Sequence, residues 1–202
     1  MERGGLDEAI AGDPGAVAGD VAELRERLRV KLRACIKLGR VKLSSGKETD
    51  FYFDGRLVSL EPEGSVLIAD LMLRMIQGMG GIDAVGGLTS GADPITSSIG
   101  VLAWQRGVPL RLFYVRKEAK GHGMGKLIEG PPLPQGARAV IVDDVITTGG
   151  SILKARDSLR ADAGVAAVAA LAVIDRQEGG REVLEKEGIQ VFSLFRKTDF
   201  LP

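Results

Sequence analysis

The hydrophobic positions along the chain follow two different spacings. In 21–38 and 61–79, apolar side chains recur every three or four residues, which is typical of amphipathic helices with one face on a core. Elsewhere the apolar residues form short continuous runs, as in strands buried on both faces of a parallel sheet. These runs are centred near Ala84, Phe113, Ile141 and Ala170. Because strand and helix patterns alternate, the sequence predicts an α/β fold with a mostly parallel central sheet flanked by helices.

The N-terminal part of the chain departs from this alternation. Residues 1–20 are rich in Gly, Ala and Asp without a sustained apolar period, so we predict a flexible arm there. We predict that the rest of the chain, 21–202, forms a single domain. We expect its first part, about 21–60, to include a small hood with a turn at 46–50 and an aromatic strand at 51–53.

Composition narrows the class of protein. The 202 residues contain 27 Lys and Arg, 27 Asp and Glu, and 45% hydrophobic residues. This balance gives no overall field that would attract nucleic acid or a membrane surface, and no apolar run is long enough to span a bilayer. The single Cys35 excludes an internal disulfide. The N-terminus is not typical of a signal peptide, and we expect a cytoplasmic protein.

The segment 139–151, AVIVDDVITTGGS, joins a predicted buried strand to an acidic pair and a turn of small polar residues. Asp143 and Asp144 follow four apolar residues, and 147–151 leads into a helical pattern. Backbone N–H groups at the start of a helix favour an anion, and glycines allow it to approach closely. The segment therefore predicts a phosphate site.

The acidic pair would repel a bare phosphate and needs its own explanation. Carboxylates accept hydrogen bonds from sugar hydroxyls, and they also bind Mg²⁺. A ribose that carries a phosphate accounts for both the acids and the turn. The alternative is a plain strand-to-helix connection with acidic residues at its edge.

Two further segments are candidates for anion binding. The glycine-rich turn 86–94 follows a predicted strand at 83–85 and opens a predicted helix at 95–105, which suits a diphosphate or, alternatively, tight packing of strand on helix. The strand at 110–115 runs into the loop 116–126. Its charged and ionisable residues include Arg116, Lys117, Lys120, His122 and Lys126. Such a loop either closes over a polyanion or is solvated surface.

Two features suggest how a flat, polar ligand could be recognised. Phe51, Tyr52 and Phe53 either pack an edge strand or cover such a ligand. Arg176 follows the apolar run 165–174, at the strand edge where open α/β sheets bind ligands. Its guanidinium could bind a carboxylate or carbonyl oxygens, or could form a salt bridge with Asp175 or Glu178.

Several of these segments resemble one enzyme family. VIVDDVITTGGS resembles the signature of the type I phosphoribosyltransferases, which use 5-phosphoribosyl 1-diphosphate (PRPP) as ribose donor. R-K-x-x-K-x-H-G in the basic loop and D-R-Q-E-x-G around Arg176 resemble the orotate phosphoribosyltransferases. The aromatic residues after a Gly-basic turn are similar to the hood of the same enzymes. The resemblance covers about 39–197, with three motifs in the expected order.

The resemblance implies transfer of phosphoribosyl from PRPP to orotate, giving orotidine 5′-monophosphate and diphosphate in pyrimidine synthesis. It implies Mg²⁺ carried by diphosphate and ribose with no direct protein ligand, and a homodimer whose 116–126 loop acts across the interface. The expected catalytic residues are Lys120, His122, Asp143 and Asp144. PRPP binding is expected from those four and from Arg116, Lys117, Val145, Ile146, Thr147, Thr148, Gly149, Gly150 and Ser151. Orotate binding is expected from Thr147, Arg176, Tyr52 and Phe53.

The chain departs from the family pattern at two positions. Many orotate enzymes have a lysine where this chain has Ser44, and another where it has Ser90. We therefore expect weaker PRPP binding than in relatives with both lysines, unless Lys47 substitutes. Two other functions stay open: a phosphoribosyltransferase for another nucleobase, and a non-catalytic regulator that senses PRPP.

Overall fold

The computed structural model describes residues 20–42, 46, 48–118 and 126–201. The helices are α1 (Val21–Cys35), α2 (Arg56–Ser59), α3 (Pro62–Met79), α4 (Ala92–Gln105), α5 (Gly150–Ala163) and α6 (Gly180–Lys186). The strands are β1 (Ile36–Lys42), β2 (Glu48–Phe53), β3 (Ala84–Leu88), β4 (Arg111–Val115), β5 (Ile128–Glu129), β6 (Arg138–Ile146), β7 (Ala166–Asp175) and β8 (Gln190–Arg196). A 3₁₀ turn, Lys197–Asp199, follows β8.

Six strands form one sheet in the order β5-β4-β3-β6-β7-β8. All neighbouring pairs are parallel except β4 and β5. The four predicted strand centres are at most 1% exposed and lie in four of these strands. The predicted α/β fold with a mostly parallel sheet is therefore confirmed. β5 has two residues and went unpredicted because so short a strand has no period to detect.

Side chains of the sheet alternate between two hydrophobic clusters. On one face, Val140 and Val142 of β6 belong to a cluster with residues of α1, α3 and α4. On the other, Ala139 and Ile141 belong to a cluster with residues of α5 and α6. Because alternate side chains point to opposite faces of the sheet, β6 is buried on both sides. Only its polar C-terminal end can therefore contribute to a site.

The first helix is shorter than predicted. It begins at Val21 and is capped by Asp20, whose side chain accepts a hydrogen bond from the backbone N–H of Ala22, and it buries Leu24, Leu28 and Leu32. It ends at Cys35, not at residue 38, because Ile36 to Leu38 pair with β2 instead. Apart from Asp20, the predicted flexible arm lies outside the described residues.

β1 and β2 form a separate antiparallel hairpin, in which Ile36 lies opposite Phe53. The predicted turn at 46–50 is too long, because β2 already begins at Glu48. Phe51 of this hairpin is fully buried in the same cluster as α1 and α3. That packing ties the hairpin to the domain.

The first glycine-rich turn is also shorter than predicted. β3 continues to Leu88 because its pairing with β4 extends to the Gly87–Tyr114 and Leu88–Val115 pairs. α4 then begins at Ala92, three residues before the predicted start. In the part of the chain that the structure describes, no helix has the length and apolar character needed to cross a membrane.

Candidate active site

A cavity of about 330 Å³ opens where β2, β3 and β6 end. The lining residues are Tyr52, Phe53, Asp54, Arg56, Leu88, Thr89, Ser90, Gly91, Lys117, Asp143, Asp144, Val145, Thr147 and Ser151. Ligands of open α/β sheets bind outside the carboxyl ends of the strands, and this cavity lies at that edge.

The acidic pair faces this cavity near the end of β6. Asp143 is 8% exposed and Asp144 is partly exposed, and the Asp144 N–H donates to Oδ1 of Asp143 at 3.0 Å. Burial raises the pKa of the Asp143 carboxyl well above its ordinary value, and the neighbouring Asp144 carboxylate raises it further. Burial also raises the pKa of Asp144, although hydrogen bonding from Asp143 opposes that rise. Burial therefore disfavours the state in which both carboxyls are ionised.

The turn after β6 provides a helix N-terminus at the cavity. Thr147 and Ser151 line the cavity, while Thr148 and Gly150 are exposed. Gly149 adopts φ +82°, a left-handed conformation that favours glycine, and α5 begins at the next residue. No side chain caps this helix in the described part of the chain, so its first amides are available to an anion. Val145 lines the cavity, whereas Ile146 is buried beneath it.

The turn between β3 and α4 forms the opposite wall. Leu88, Thr89, Ser90 and Gly91 all line the cavity. A Cβ atom on Gly91 would lie 2.8 Å from Oδ1 of both Asp143 and Asp144. Only a residue without a side chain allows this close approach, so the second anion candidate and the acidic pair share one site.

The basic residues around the cavity are placed unevenly. Lys117 lines the cavity, and its carbonyl accepts a hydrogen bond from Nζ of Lys154. Arg116 contacts the Glu118 carbonyl at 3.3 Å and Oε1 of Glu129 at 3.5 Å. Arg116 is not among the lining residues. The predicted site residues Lys120 and His122, and also Ser44 and Lys47, lie outside the described residues.

Asp54 and Arg56 were not predicted as site residues, although both line the cavity. The Arg56 guanidinium binds both carboxylate oxygens of Asp54, at 3.0 and 3.1 Å, and lowers the pKa of that carboxyl. Their position directly after an aromatic strand was the available signal. It was weak, because Asp-Gly at the end of a strand is usually only a turn.

The residues predicted for a flat ligand lie in or beside the cavity. Tyr52 and Phe53 line it, but Phe53 and Phe51 are also buried in the same hydrophobic cluster, so packing accounts for those two rings and Tyr52 is the more exposed one. Arg176 lies beside the residues that line the cavity, because its backbone N–H donates a hydrogen bond to the Ile146 carbonyl at 2.9 Å. Its guanidinium forms the alternative salt bridge with Glu178, at 2.7 Å.

Comparisons with known proteins identify the family of this site. Residues 62–194 match the family model described as the phosphoribosyl transferase domain. The chain is 45% identical over 160 residues to the orotate phosphoribosyltransferase of Aquifex aeolicus, covering 79% of this chain and 86% of that protein. The chain belongs to the orotate phosphoribosyltransferase family.

Solved structures of this family agree with the fold. The orotate phosphoribosyltransferase of Mycobacterium tuberculosis, in complex with Fe(III) dicitrate, matches with a TM-score of 0.75 and 39% identity over 88% of this chain and 98% of that one. A structure of the Mycobacterium tuberculosis enzyme in complex with PRPP matches with a TM-score of 0.72 and 36% identity over the same shares. The family predicted from the sequence motifs is confirmed.

Proposed function

We propose that this protein transfers the 5-phosphoribosyl group of PRPP to orotate, giving orotidine 5′-monophosphate and diphosphate in pyrimidine synthesis. The observation that carries the proposal is the acidic pair Asp143 and Asp144, which lines a cavity at the end of β6 beside the N-terminus of α5. That arrangement suits a ribose 5-phosphate, and the chain belongs to a family named for this reaction.

In this proposal the acidic pair binds the two free ribose hydroxyls. A hydroxyl can donate to one carboxylate oxygen and accept from a protonated carboxyl, so a pair that holds one proton offers both partners. Burial raises the pKa of Asp143, which makes a proton on the pair easier to retain than on a solvent-exposed carboxyl. The 5′-phosphate would bind the amides and hydroxyls of 147–151, where α5 begins.

The diphosphate would lie between the β3–α4 turn and the basic loop. Ser90 and Gly91 line one side of the cavity, and Lys117 supplies a cation from the other segment. We propose that Arg116, Lys120 and His122 add charge and hydrogen bonds to the leaving group. With Ser90 in place of a lysine, weaker PRPP binding than in lysine-bearing relatives stays our prediction.

Orotate would occupy the side of the cavity formed by the hairpin and the end of β7. Tyr52 and Phe53 provide aromatic surface there. Nε of Arg176 is buried and has no hydrogen-bond partner within the described residues, so it can donate to an oxygen of the base. The backbone N–H of Arg176 donates to the carbonyl of Ile146, the residue before Thr147. Thr147 would therefore contact the same ligand as Arg176.

The chemistry demands positioning more than proton transfer. A ring nitrogen of the already anionic base attacks the ribose carbon as diphosphate leaves, and the sugar acquires oxocarbenium character. The residues around the cavity hold the two reactants in line, and their cations oppose the charge that develops on diphosphate. Asp143 and Asp144 fix the ring through its hydroxyls.

The donor set is compatible with Mg²⁺ carried by the substrate. The described residues contain no group of three or more His, Cys, Asp or Glu side chains able to hold a metal ion. Asp143 and Asp144 would hold the ribose hydroxyls, and the ion would be carried by the diphosphate and the ribose with no direct protein ligand. When bound, Mg²⁺ neutralises charge on the departing diphosphate.

We further propose that the enzyme works as a cytoplasmic homodimer with the 116–126 loop acting across the interface. This part of the proposal rests on the resemblance of the loop to that of the orotate phosphoribosyltransferases; within this chain, Lys117 lines the cavity and Arg116 does not. We also propose that residues 1–20 form an arm and that residues 21–202 form one domain. We propose that the protein does not bind nucleic acid or membranes.

The test is product formation from PRPP and Mg²⁺ with orotate, uracil, adenine or hypoxanthine in separate assays. We expect nucleotide and diphosphate with orotate only. Lys120→Ala should lose most of this turnover, whereas Lys186→Ala, an exposed change in α6, should retain it. Turnover with another base would assign the enzyme to that base. PRPP binding without turnover of any base would identify the non-catalytic regulator.

A further inference from the structure

A single side-chain hydroxyl connects the N-terminal hairpin to the arginine at the end of β7. Oγ1 of Thr49 accepts a hydrogen bond from Nη2 of Arg176 at 2.8 Å, across 127 positions of sequence. We infer that Thr49 is a positioning residue for orotate, which acts by holding the Arg176 guanidinium. The inference rests on the proposed function, because it takes Arg176 to be a ligand of orotate.

The hydroxyl of Thr49 has its hydrogen-bonding capacity fully used. Its oxygen also lies 3.2 Å from the Phe51 N–H and 3.0 Å from the Phe51 carbonyl. A hydroxyl has one proton to donate and two lone pairs to accept with. Because Arg176 and the Phe51 N–H are both donors, the proton must go to the Phe51 carbonyl. The direction in which Thr49 accepts from Arg176 is therefore fixed by the backbone of β2.

The guanidinium is held through one of its three nitrogens. Nη2 of Arg176 contacts Thr49 on one side and Oε1 of Glu178, at 2.7 Å, on the other. The first contact is a hydrogen bond and the second is an ion pair, so Thr49 is the partner that fixes the direction of an Nη2 proton. Nε is buried and has no hydrogen-bond partner among the described residues, and the side chain is 15% exposed. Holding Nη2 in this way fixes the orientation of the guanidinium, whose Nε has no acceptor among the described residues.

Thr49 also links this arginine to the aromatic side of the cavity. The backbone that fixes its hydroxyl belongs to the strand that carries Tyr52 and Phe53 into the cavity lining. Any shift of β2 would change both the aromatic surface and the position of Arg176. Glu178, by contrast, is 39% exposed and lies in the same short segment as Arg176, so it cannot relate the arginine to the hairpin.

The experiment compares Thr49→Val with Thr49→Ser in steady-state assays that vary orotate and PRPP separately. Valine keeps the shape and removes the hydroxyl, and a lost hydrogen bond to a charged group weakens binding about tenfold. We expect the KM for orotate to rise about tenfold in the valine variant, with the KM for PRPP within twofold of wild type. Serine should restore the wild-type KM for orotate.

The control is Asp50→Asn. Asp50 is the next residue of β2 and its carboxylate accepts from Nζ of Lys197 at 2.8 Å, so its substitution weakens another contact between the hairpin and the domain. Asp50 acts on Arg176 only through its charge and makes no hydrogen bond to it within the described residues, so this variant separates loss of charge from loss of the Thr49 hydrogen bond. We expect this variant to leave both KM values within twofold. Thermal unfolding of each variant measures any loosening of the hairpin, and Thr49→Ala replaces Thr49→Val if the valine variant does not fold.

The inference is overturned if Thr49→Val leaves the KM for orotate unchanged, raises both KM values equally, or behaves like Asp50→Asn. It is also overturned if Thr49→Ser fails to restore the KM for orotate. Absence of orotate turnover in the wild type would instead reject the proposed function, so the two failures are distinguishable.

Discussion

The two turns that follow β3 and β6 look alike in sequence but need their glycines for different reasons. Both leave a buried parallel strand and open a helix. At Gly91 the constraint is space, because a Cβ atom would lie 2.8 Å from a carboxylate oxygen of each acidic residue. At Gly149 the constraint is the backbone, which has φ +82°. The constraint at Gly91 comes from the side chains of the site, whereas the constraint at Gly149 comes from the conformation of the backbone.

This difference separates effects on activity from effects on stability. The atoms that would meet a side chain at position 91 are the ends of the two carboxylates, so a substitution there displaces the acidic pair. A substitution at position 149 strains the chain itself and also approaches Leu184 of α6 at 3.1 Å. Four predictions follow this contrast from the largest expected effect to the smallest.

Removing an acid of the pair should have the largest effect. We expect Asp144→Ala to lower kcat/KM for PRPP about 100-fold or more, because a preorganised polar contact to the reacting sugar is lost. Steady-state kinetics measures this. Asp157→Ala removes a carboxylate from the exposed surface of α5 and should leave kcat/KM unchanged. Equal losses in the two variants would remove the acidic pair from the mechanism.

Adding a methyl group at position 91 should act on the site alone. We expect Gly91→Ala to lower kcat/KM for PRPP by about 10- to 100-fold, since small displacements of catalytic groups have effects of that size. The melting temperature should stay close to wild type, because the displaced atoms are side-chain oxygens. A large fall in melting temperature with normal kinetics would invert the contrast between the two turns.

The same change at position 149 should act mainly on stability. We expect Gly149→Ala to lower the free energy of unfolding by about 2 kcal/mol, because alanine is strained at positive φ. Urea unfolding measures this. The matched control is Gly164→Ala at the other end of α5, which has φ +63° and open space around a Cβ atom. Gly164→Ala should lower the free energy of unfolding by about 1 kcal/mol. If it lowers that free energy more than Gly149→Ala does, the contact with Leu184 adds nothing to the effect at position 149.

The buried acid should make stability depend on pH. Because burial raises the pKa of Asp143 in the folded state, the folded protein holds a proton that the unfolded chain releases above about pH 4. Its contribution to stability therefore falls as pH rises from about 4 through the folded pKa. We expect Asp143→Asn to be more stable than wild type at neutral pH by about 1 kcal/mol, with the difference vanishing near pH 4. Urea unfolding of both proteins from pH 4 to 8 measures this difference; a difference that stays constant over that range would show that the pKa of Asp143 is not raised in the folded protein.

Periodicity predicted most of the elements because each buries a regular set of apolar positions. It failed where tertiary pairing overrode it: Ile36 continues the helical pattern of α1 but pairs with Phe53 in the hairpin. It also failed for β5, which exists only because β4 offers it an edge. Asp54 and Arg56 became site residues only when the hairpin placed them beside Asp144 in the cavity lining.

By itself the sequence determined the four central strands, the acidic pair and the turn that opens α5, because each depends on residues adjacent along the chain. Only the tertiary structure decided that Gly91 lies against Asp143 and Asp144, and that Thr49 holds Arg176. Those contacts join residues dozens of positions apart. Local patterns carry no information about such distances, and packing of the hairpin and helices on the sheet fixes them.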